Sequence, residues 1–317
     1  MVQLIAFRAI QGLGAGAIQP ITFTIVGDLF PVEQRARVQG FFSGVWGTAS
    51  IVGPSLGGLI IAVASWHWVF YINIPIGLAA LLMLGRTYHE QVARRPHAVD
   101  FLGAALLTGG ISALLLGLEN PGRPVLYLAA LVLLGGFILA ETRAPEPIVP
   151  LKLLGRPLIG VGYLVSLLSG AVQFGTTGFI PLFVQGAQGG SPLSVGAVLA
   201  PMSIGWPVGS IAGGRLILRF GYRPVLLGGL GATTLGAAAL QLLRPGTPLP
   251  LVMANVALVG LGMGLTSTPV LISIQNAVGW QQRGVATALN QFSRTIGGSL
   301  GVALMGALLN LQVEARL

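Results

Sequence analysis

Residues Arg8 to Gly58 read RAIQGLGAGAIQPITFTIVGDLFPVEQRARVQGFFSGVWGTASIVGPSLGG. Two glycine-ridged apolar segments flank a short, doubly basic turn that holds Arg35 and Arg37. Arg8 lies inside the first apolar segment, where a charge costs several kcal/mol unless it is paired or wetted. The second segment carries Gly44, Gly47, Gly53, Pro54, Gly57 and Gly58. That density of glycine and proline ruins a helix in water but is tolerated where neighbouring helices support the backbone. The stretch predicts a pair of membrane-spanning helices that pack closely and flex.

Composition extends this reading to the whole chain. Its 317 residues are 54% hydrophobic and 8% charged, with a mean hydropathy of +0.84; a soluble domain is roughly 25% charged. So few charges cannot cover a water-exposed surface. The 48 glycines fall inside apolar runs, which favours close helix contacts in lipid over a low-complexity chain. There is no cysteine, which removes disulfides, thiolate catalysis and cysteine metal sites. The net charge of +9 is spread singly or in small groups through short turns, a pattern that orients membrane helices and does not suit nucleic acid. The first apolar run is too long for a cleavable signal peptide and contains Arg8.

Apolar runs of spanning length predict ten helices, at 2–27, 38–64, 68–85, 101–118, 124–141, 157–184, 192–217, 223–243, 249–274 and 284–310. Proline, glycine or charge punctuates each junction. Counting Lys and Arg on alternate sides puts Arg35, Arg37, Arg86, Arg94, Arg95, Arg143, Lys152, Arg156, Arg215, Arg219, Arg223 and Arg283 on one face. Only Arg123, Arg244 and Arg316 fall on the other. The richer face is predicted to be cytoplasmic. A shift of 248 places lays Gly12, Gly14 and Gly16 on Gly260, Gly262 and Gly264, Arg35 on Arg283, Gly53 on Gly301 and Gly58 on Gly306. Two related halves about an axis along the membrane normal account for this repeat.

Several motifs resemble those of the major facilitator superfamily, and of its fourteen-spanner drug:proton antiporters (the EmrB/QacA type). The run from Arg8 through Gln11 and Gly12 to Gly16 resembles that family's fourth-helix motif, and Gly53-Pro54-Ser55-Leu56-Gly57-Gly58 its fifth-helix antiporter motif. SWHWVFYINIP, from Ser65 to Pro75, resembles the run that follows, with His67 where the family usually has arginine. GRLILRFGYR, from Gly214 to Arg223, resembles the second copy of a cytoplasmic loop motif, with Leu218 in the aspartate position. The resemblance implies an all-α membrane fold of two pseudo-symmetric halves with two extra linking helices. The division is 1–86 for the remainder of the first half, 87–156 for the linking segment and 157–317 for the second half. Aligned in this way, the chain begins at the family's fourth helix and stops before its last.

Candidate functional residues follow. Arg8 shares a helix face with Gln11 and Gln19; it either faces a central cavity or snorkels to the outer interface as an orientation charge. The resemblance favours the cavity for Arg8; Gln11 and Gln19 on its face, and Arg294 inside a second-half span, are the further candidate transport residues. The glycine and proline run from Gly44 to Gly58 reads as a bend and a close contact, and the resemblance connects it with antiport. Asp28, Arg35, Arg37, Arg219 and Arg223 form a candidate cytoplasmic gate, against the alternative of a merely solvated turn. Gln173, Gln185, Trp206, Asn255, Gln275, Asn290 and Gln291 are further polar or aromatic groups in the second half.

All eight acidic residues and all three histidines (His67, His89 and His97) fall at span ends or in turns. No enzyme and no metal site is therefore expected, and no cofactor beyond a proton gradient as energy source. The resemblance puts the proton-carrying aspartate in a helix that precedes this stretch. The function expected is proton-coupled efflux by alternating access, at the plasma (inner) membrane as a multi-pass protein, here as a truncated copy. Its partners are the lipid bilayer and a hydrophobic or cationic small molecule, with no nucleic acid; a membrane-fusion partner cannot be identified. The rival is a non-transporting membrane fragment or scaffold.

Overall fold

The computed structural model describes residues 2–65, 67–87 and 99–314. His89, Glu90, Arg94, Arg95, His97 and Arg316 lie outside these residues, and the side chains at Pro54 and Gly58 are likewise not described. The first helices are α1 (Val2–Leu29), α2 (Val32–Val63), the short α3 (Trp68–Tyr71) and α4 (Asn73–Thr87). A hairpin of α5 (Phe101–Glu119) and α6 (Pro124–Glu141) follows, then the short α7 (Leu151–Leu154). The remainder is α8 (Pro157–Leu182), a π turn at Phe183–Ala187, α9 (Pro192–Phe220), α10 (Tyr222–Leu240), α11 (Leu249–Asn276) and α12 (Arg283–Glu314). The described residues contain no strand.

Each expected span is met by helix, with α3 and α4 together covering the third. Eight of the described segments are long and apolar enough to cross a membrane. The two others are α2, which carries Glu33, Arg35 and Arg37 in its first turns, and α10, diluted by glycine, alanine and threonine. One boundary differs from expectation: α2 begins at Val32, so the basic turn is already helical. Pro31 breaks the chain, and its carbonyl accepts from the Arg35 amide at 3.1 Å, closing the first helical turn before the segment enters its apolar part. Elsewhere the punctuation acts as expected. Proline stands in the first turn of α6, α8 and α9, where its missing N–H is no loss. Asp100 caps α5 through Gly103 N at 2.8 Å.

Glycine decides how the second half packs. Gly205 and Gly209 of α9 lie against the backbone of α11, and Gly260 and Gly264 of α11 lie against Met202 and Trp206 of α9. Between α8 and α12, Gly170 faces the Arg294 carbonyl and Gly297 the Leu167 carbonyl. Main chains thus meet directly, the mode of association available where lipid offers no hydrophobic drive. The core condenses on α11: Val252, Val256, Val259 and Met263 join Val198 and Met202 of α9, while Val270 and Ile274 join Ile159 and Tyr163 of α8. In contrast, the outer part of α1 and all of α4 are exposed and present Ile5, Phe7, Leu13, Leu81 and Leu82 outward.

The α5–α6 hairpin is held by Tyr127 Oη donating to the Gly117 carbonyl at 2.7 Å, and α5 touches α12. Helices α1 and α2 meet the later helices chiefly as α1 on α12 and α2 on α9, with a smaller contact of α2 on α11. Arg35 Nη1 donates to Asn276 Oδ1 at 3.1 Å, Asn276 Nδ2 donates to Tyr222 Oη at 3.2 Å, and Arg156 Nη1 donates to the Ala277 carbonyl at 3.0 Å. These bonds bring the turns that carry Arg35, Arg156, Arg223 and Arg283 to one end of the bundle, called the inner end below. The charge count anticipates this arrangement.

Candidate functional site: a cavity between the two halves

Six helices enclose a cavity of about 270 Å³: α1 and α2 from the first half, and α8, α9, α11 and α12 from the second. Its aromatic wall is formed by Phe23, Phe42, Trp46, Phe174 and Trp206, with Phe23 and Phe42 in edge-to-face contact at 6.0 Å. Amides and hydroxyls supply the polar groups. Asn290 Nδ2 donates to Ser166 Oγ at 2.6 Å, and Gln39 and Gln173 each leave one buried amide atom without a hydrogen-bond partner. The one charged side chain on the wall, among the described residues, is Arg294. Its guanidinium lies over the Trp206 ring at 5.7 Å, within cation–π range.

From the cavity wall toward the inner end, α1 is tied to α12, and through Gln275 to α11, by a series of polar contacts. Gln291 Nε2 donates to Gln19 Oε1 at 3.3 Å. Deeper, Gln275 Nε2 donates to the Phe23 carbonyl at 3.3 Å and to Thr287 Oγ1 at 3.1 Å. Arg283 Nη1 donates to the Gly27 carbonyl at 3.0 Å and pairs with Asp28 Oδ1 at 3.1 Å. At the inner end, Arg35 Nε donates to the Phe30 carbonyl at 2.8 Å, and its Nη1 reaches Asn276. Burial pulls the Arg35 pKa below the usual arginine value, neighbouring Arg283 pulls it further, and Asp28 opposes both. Asp28 thus pairs directly with Arg283 and acts on Arg35 through its field.

The α2–α9 seam is steric. Gly47 faces the Ser203 carbonyl, Gly40 faces the Ile211 side chain, and the hydroxyls of Ser43 and Ser210 stand 3.5 Å apart. A side chain at either glycine would push α2 off α9.

Of the candidate transport residues, Gln19 and Arg294 line the cavity, as do Gln173, Trp206, Asn290 and Gln291. Arg8 and Gln11 do not; both are exposed, Arg8 Nη1 donates to Gln11 Oε1 at 3.1 Å, and the guanidinium stacks on Phe70 at 5.0 Å. Of the antiporter-motif glycines, Gly47 is in contact across the seam, while Gly44, Gly53 and Gly57 have open space where a side chain would be. Asp28 and Arg35 belong to the inner-end network. Arg37, Arg219 and Arg223 are exposed, and Arg219 stacks on Phe220 at 5.3 Å. Sequence reading passed over Gln39, Gly40, Trp46, Tyr222 and Asn276. Gln39, Gly40 and Trp46 fall on one side of α2, and Gln39 with Trp46 seven residues on is a helical repeat visible in the sequence. Tyr222 and Asn276 look like ordinary turn residues until the ends of α10 and α11 are brought together.

Residues 1–302 match the family model described as Major Facilitator Superfamily. The chain is 34% identical over 98% of its length to the "Multidrug transporter protein MdtP" of Bacillus subtilis, of which it covers 59%. It is 36% identical over 96% of its length to "Multidrug resistance protein 3" of the same organism, covering 62%. To the "Tetracenomycin C resistance and export protein" of Streptomyces glaucescens it is 32% identical over 98% of its length, covering 59%. The chain therefore spans about three fifths of the length of these relatives. An all-helical bundle in two halves around a shared cavity, together with a family match over nearly the whole sequence, identifies it: the chain belongs to the Major Facilitator Superfamily.

Proposed function

We propose that the chain acts in the efflux of amphipathic organic compounds, as a secondary carrier that exposes one cavity alternately to the two sides of the membrane. The observation that carries this reading is the cavity itself: both halves contribute to it, and it is sealed toward the inner end by breakable polar contacts. A rocking motion of one half against the other would open such a seam without breaking either core. Relatives whose names refer to multidrug transport, resistance and export support the same class of cargo. The rival reading, a scaffold or fragment without transport, offers no account of a polar and aromatic cavity closed by matched groups.

Finer features belong to the same proposal. Two linking helices, α5 and α6, between the halves support the fourteen-spanner antiporter type with residues 1–86, 87–156 and 157–317 as its parts. The excess of Arg and Lys at the inner end supports residence in the plasma (inner) membrane with that end in the cytoplasm. Coupling to the proton gradient is proposed from the resemblance. Among the described residues no carboxylate or histidine lines the cavity, so this part of the fold supplies the substrate cavity and the moving seam. Everted vesicles with a fluorescent amphiphile in the outer medium test the reading. Transport that requires the protein and collapses with the pH gradient is expected; no protein-dependent movement of dye would overturn it.

A further inference from the structure

We propose, on the basis of the carrier reading above, that the cavity selects flat aromatic compounds bearing an anionic or strongly acceptor group, and discriminates against organic cations. Arg294 is the one charge on the cavity wall among the described residues, with no carboxylate beside it. Its guanidinium rests on the Trp206 face, which orients the planar fork and, among the described residues, leaves its N–H donors outside any ion pair. A guanidinium held in this way is built to receive a carboxylate, phenolate or sulfonate through paired N–H donors. Beside apolar walls its charge is screened less than on an open surface.

The rest of the wall suits the same ligand. Gln39 is 3% exposed and Gln173 is partly buried, and each amide leaves one atom unpaired. Both residues lie on the cavity wall and add amide polarity to it. Trp46, Phe42 and Phe174 provide faces for stacking, and about 270 Å³ accommodates a small polycyclic ring system. A cationic ligand would meet Arg294 with no carboxylate among the described lining residues to offset it.

Equilibrium binding of a matched dye pair tests this without requiring transport. Fluorescein, an anionic xanthene, and rhodamine 6G, a cationic one, are titrated into the full chain in lipid nanodiscs, with polarisation and tryptophan quenching as readouts. The account expects fluorescein to bind at least about tenfold more tightly, the equivalent of one charge-assisted hydrogen bond. Arg294→Gln should abolish that preference and Arg294→Lys should retain most of it, both with unchanged thermal stability. Tighter or equal binding of rhodamine 6G overturns the proposal, and so does an anion preference that survives Arg294→Gln. Failure of both dyes to bind a verified folded protein overturns it as well. Because no gradient is present, the result stands apart from whether the vesicle experiment detects efflux.

Discussion

At the scale of single residues, Asp28 is the carboxylate in direct contact with an arginine of the inner end. Asp28 pairs with Arg283 and opposes the effect of Arg283 and burial on Arg35; removing it leaves two like charges facing each other across the seam. Asp28→Asn should therefore shift the conformational balance toward opening of the inner end. The native chain lacks cysteine, so a single Ser169→Cys on the cavity wall reports access cleanly. Its alkylation from the inner side is expected to rise about five- to tenfold, corresponding to ~1 kcal/mol. Arg35→Gln should act in the same direction, because it loses both the Phe30 carbonyl and Asn276. Arg37→Gln should leave labelling unchanged, since Arg37 is exposed and substitutions at such positions fall within about 0.5 kcal/mol. The difference between these two arginines cannot be read from the sequence. Both sit in one basic turn, and only the rotation of α2 about its axis decides which of them meets α11.

At the scale of elements, a legible pattern and a hidden one coexist in the same glycines. That the chain forms spanning helices follows from the apolar runs and their punctuation, and the helices agree with that expectation to within a few residues except at the start of α2. Which glycines touch a neighbour depends on the partner's surface, which no single-helix pattern contains. Gly209 faces the Leu261 carbonyl of α11, whereas Gly231 of α10 has nothing near it. Gly209→Ala should cost about 1–3 kcal/mol through overpacking, read as a drop in the midpoint of thermal unfolding in detergent. Gly231→Ala should be neutral or gain up to ~1 kcal/mol from helix propensity. Gly221, between α9 and α10, presents a different constraint. Its φ of 79° and ψ of 174° lie in a region open essentially to glycine alone, and it turns the chain so that Tyr222 reaches Asn276. Gly221→Ala is expected to cost on the order of 1–3 kcal/mol and to raise Ser169→Cys labelling from the inner side. Unchanged stability and unchanged labelling would contradict that assignment.

At the scale of the whole molecule, two helical halves share a cavity whose inner outlet is held shut by contacts between α1 and α12. The glycine ridges that recur in the sequence at one offset differ in the structure: Gly260, Gly262 and Gly264 press on neighbouring backbone, and Gly12, Gly14 and Gly16 face open space. The cavity wall was legible only in part: Gln19 and Arg294 stand out as polar residues inside apolar spans, whereas Arg8, equally conspicuous, rests on Gln11 and Phe70 at the exposed side of α1. Polarity within a span marks a residue that needs a partner, and the partner can be a helix neighbour as readily as a cavity. The carrier reading requires the halves to separate at this seam so that the cavity can load from the inner side. Gln19 and Gln291, whose side chains meet at 3.3 Å, provide the most direct test. With both replaced by cysteine and bridged by a short bifunctional thiol reagent, dye efflux in vesicles should fall to the level of protein-free vesicles and return when the bridge is reduced. Efflux at the full rate with the bridge intact would contradict the account.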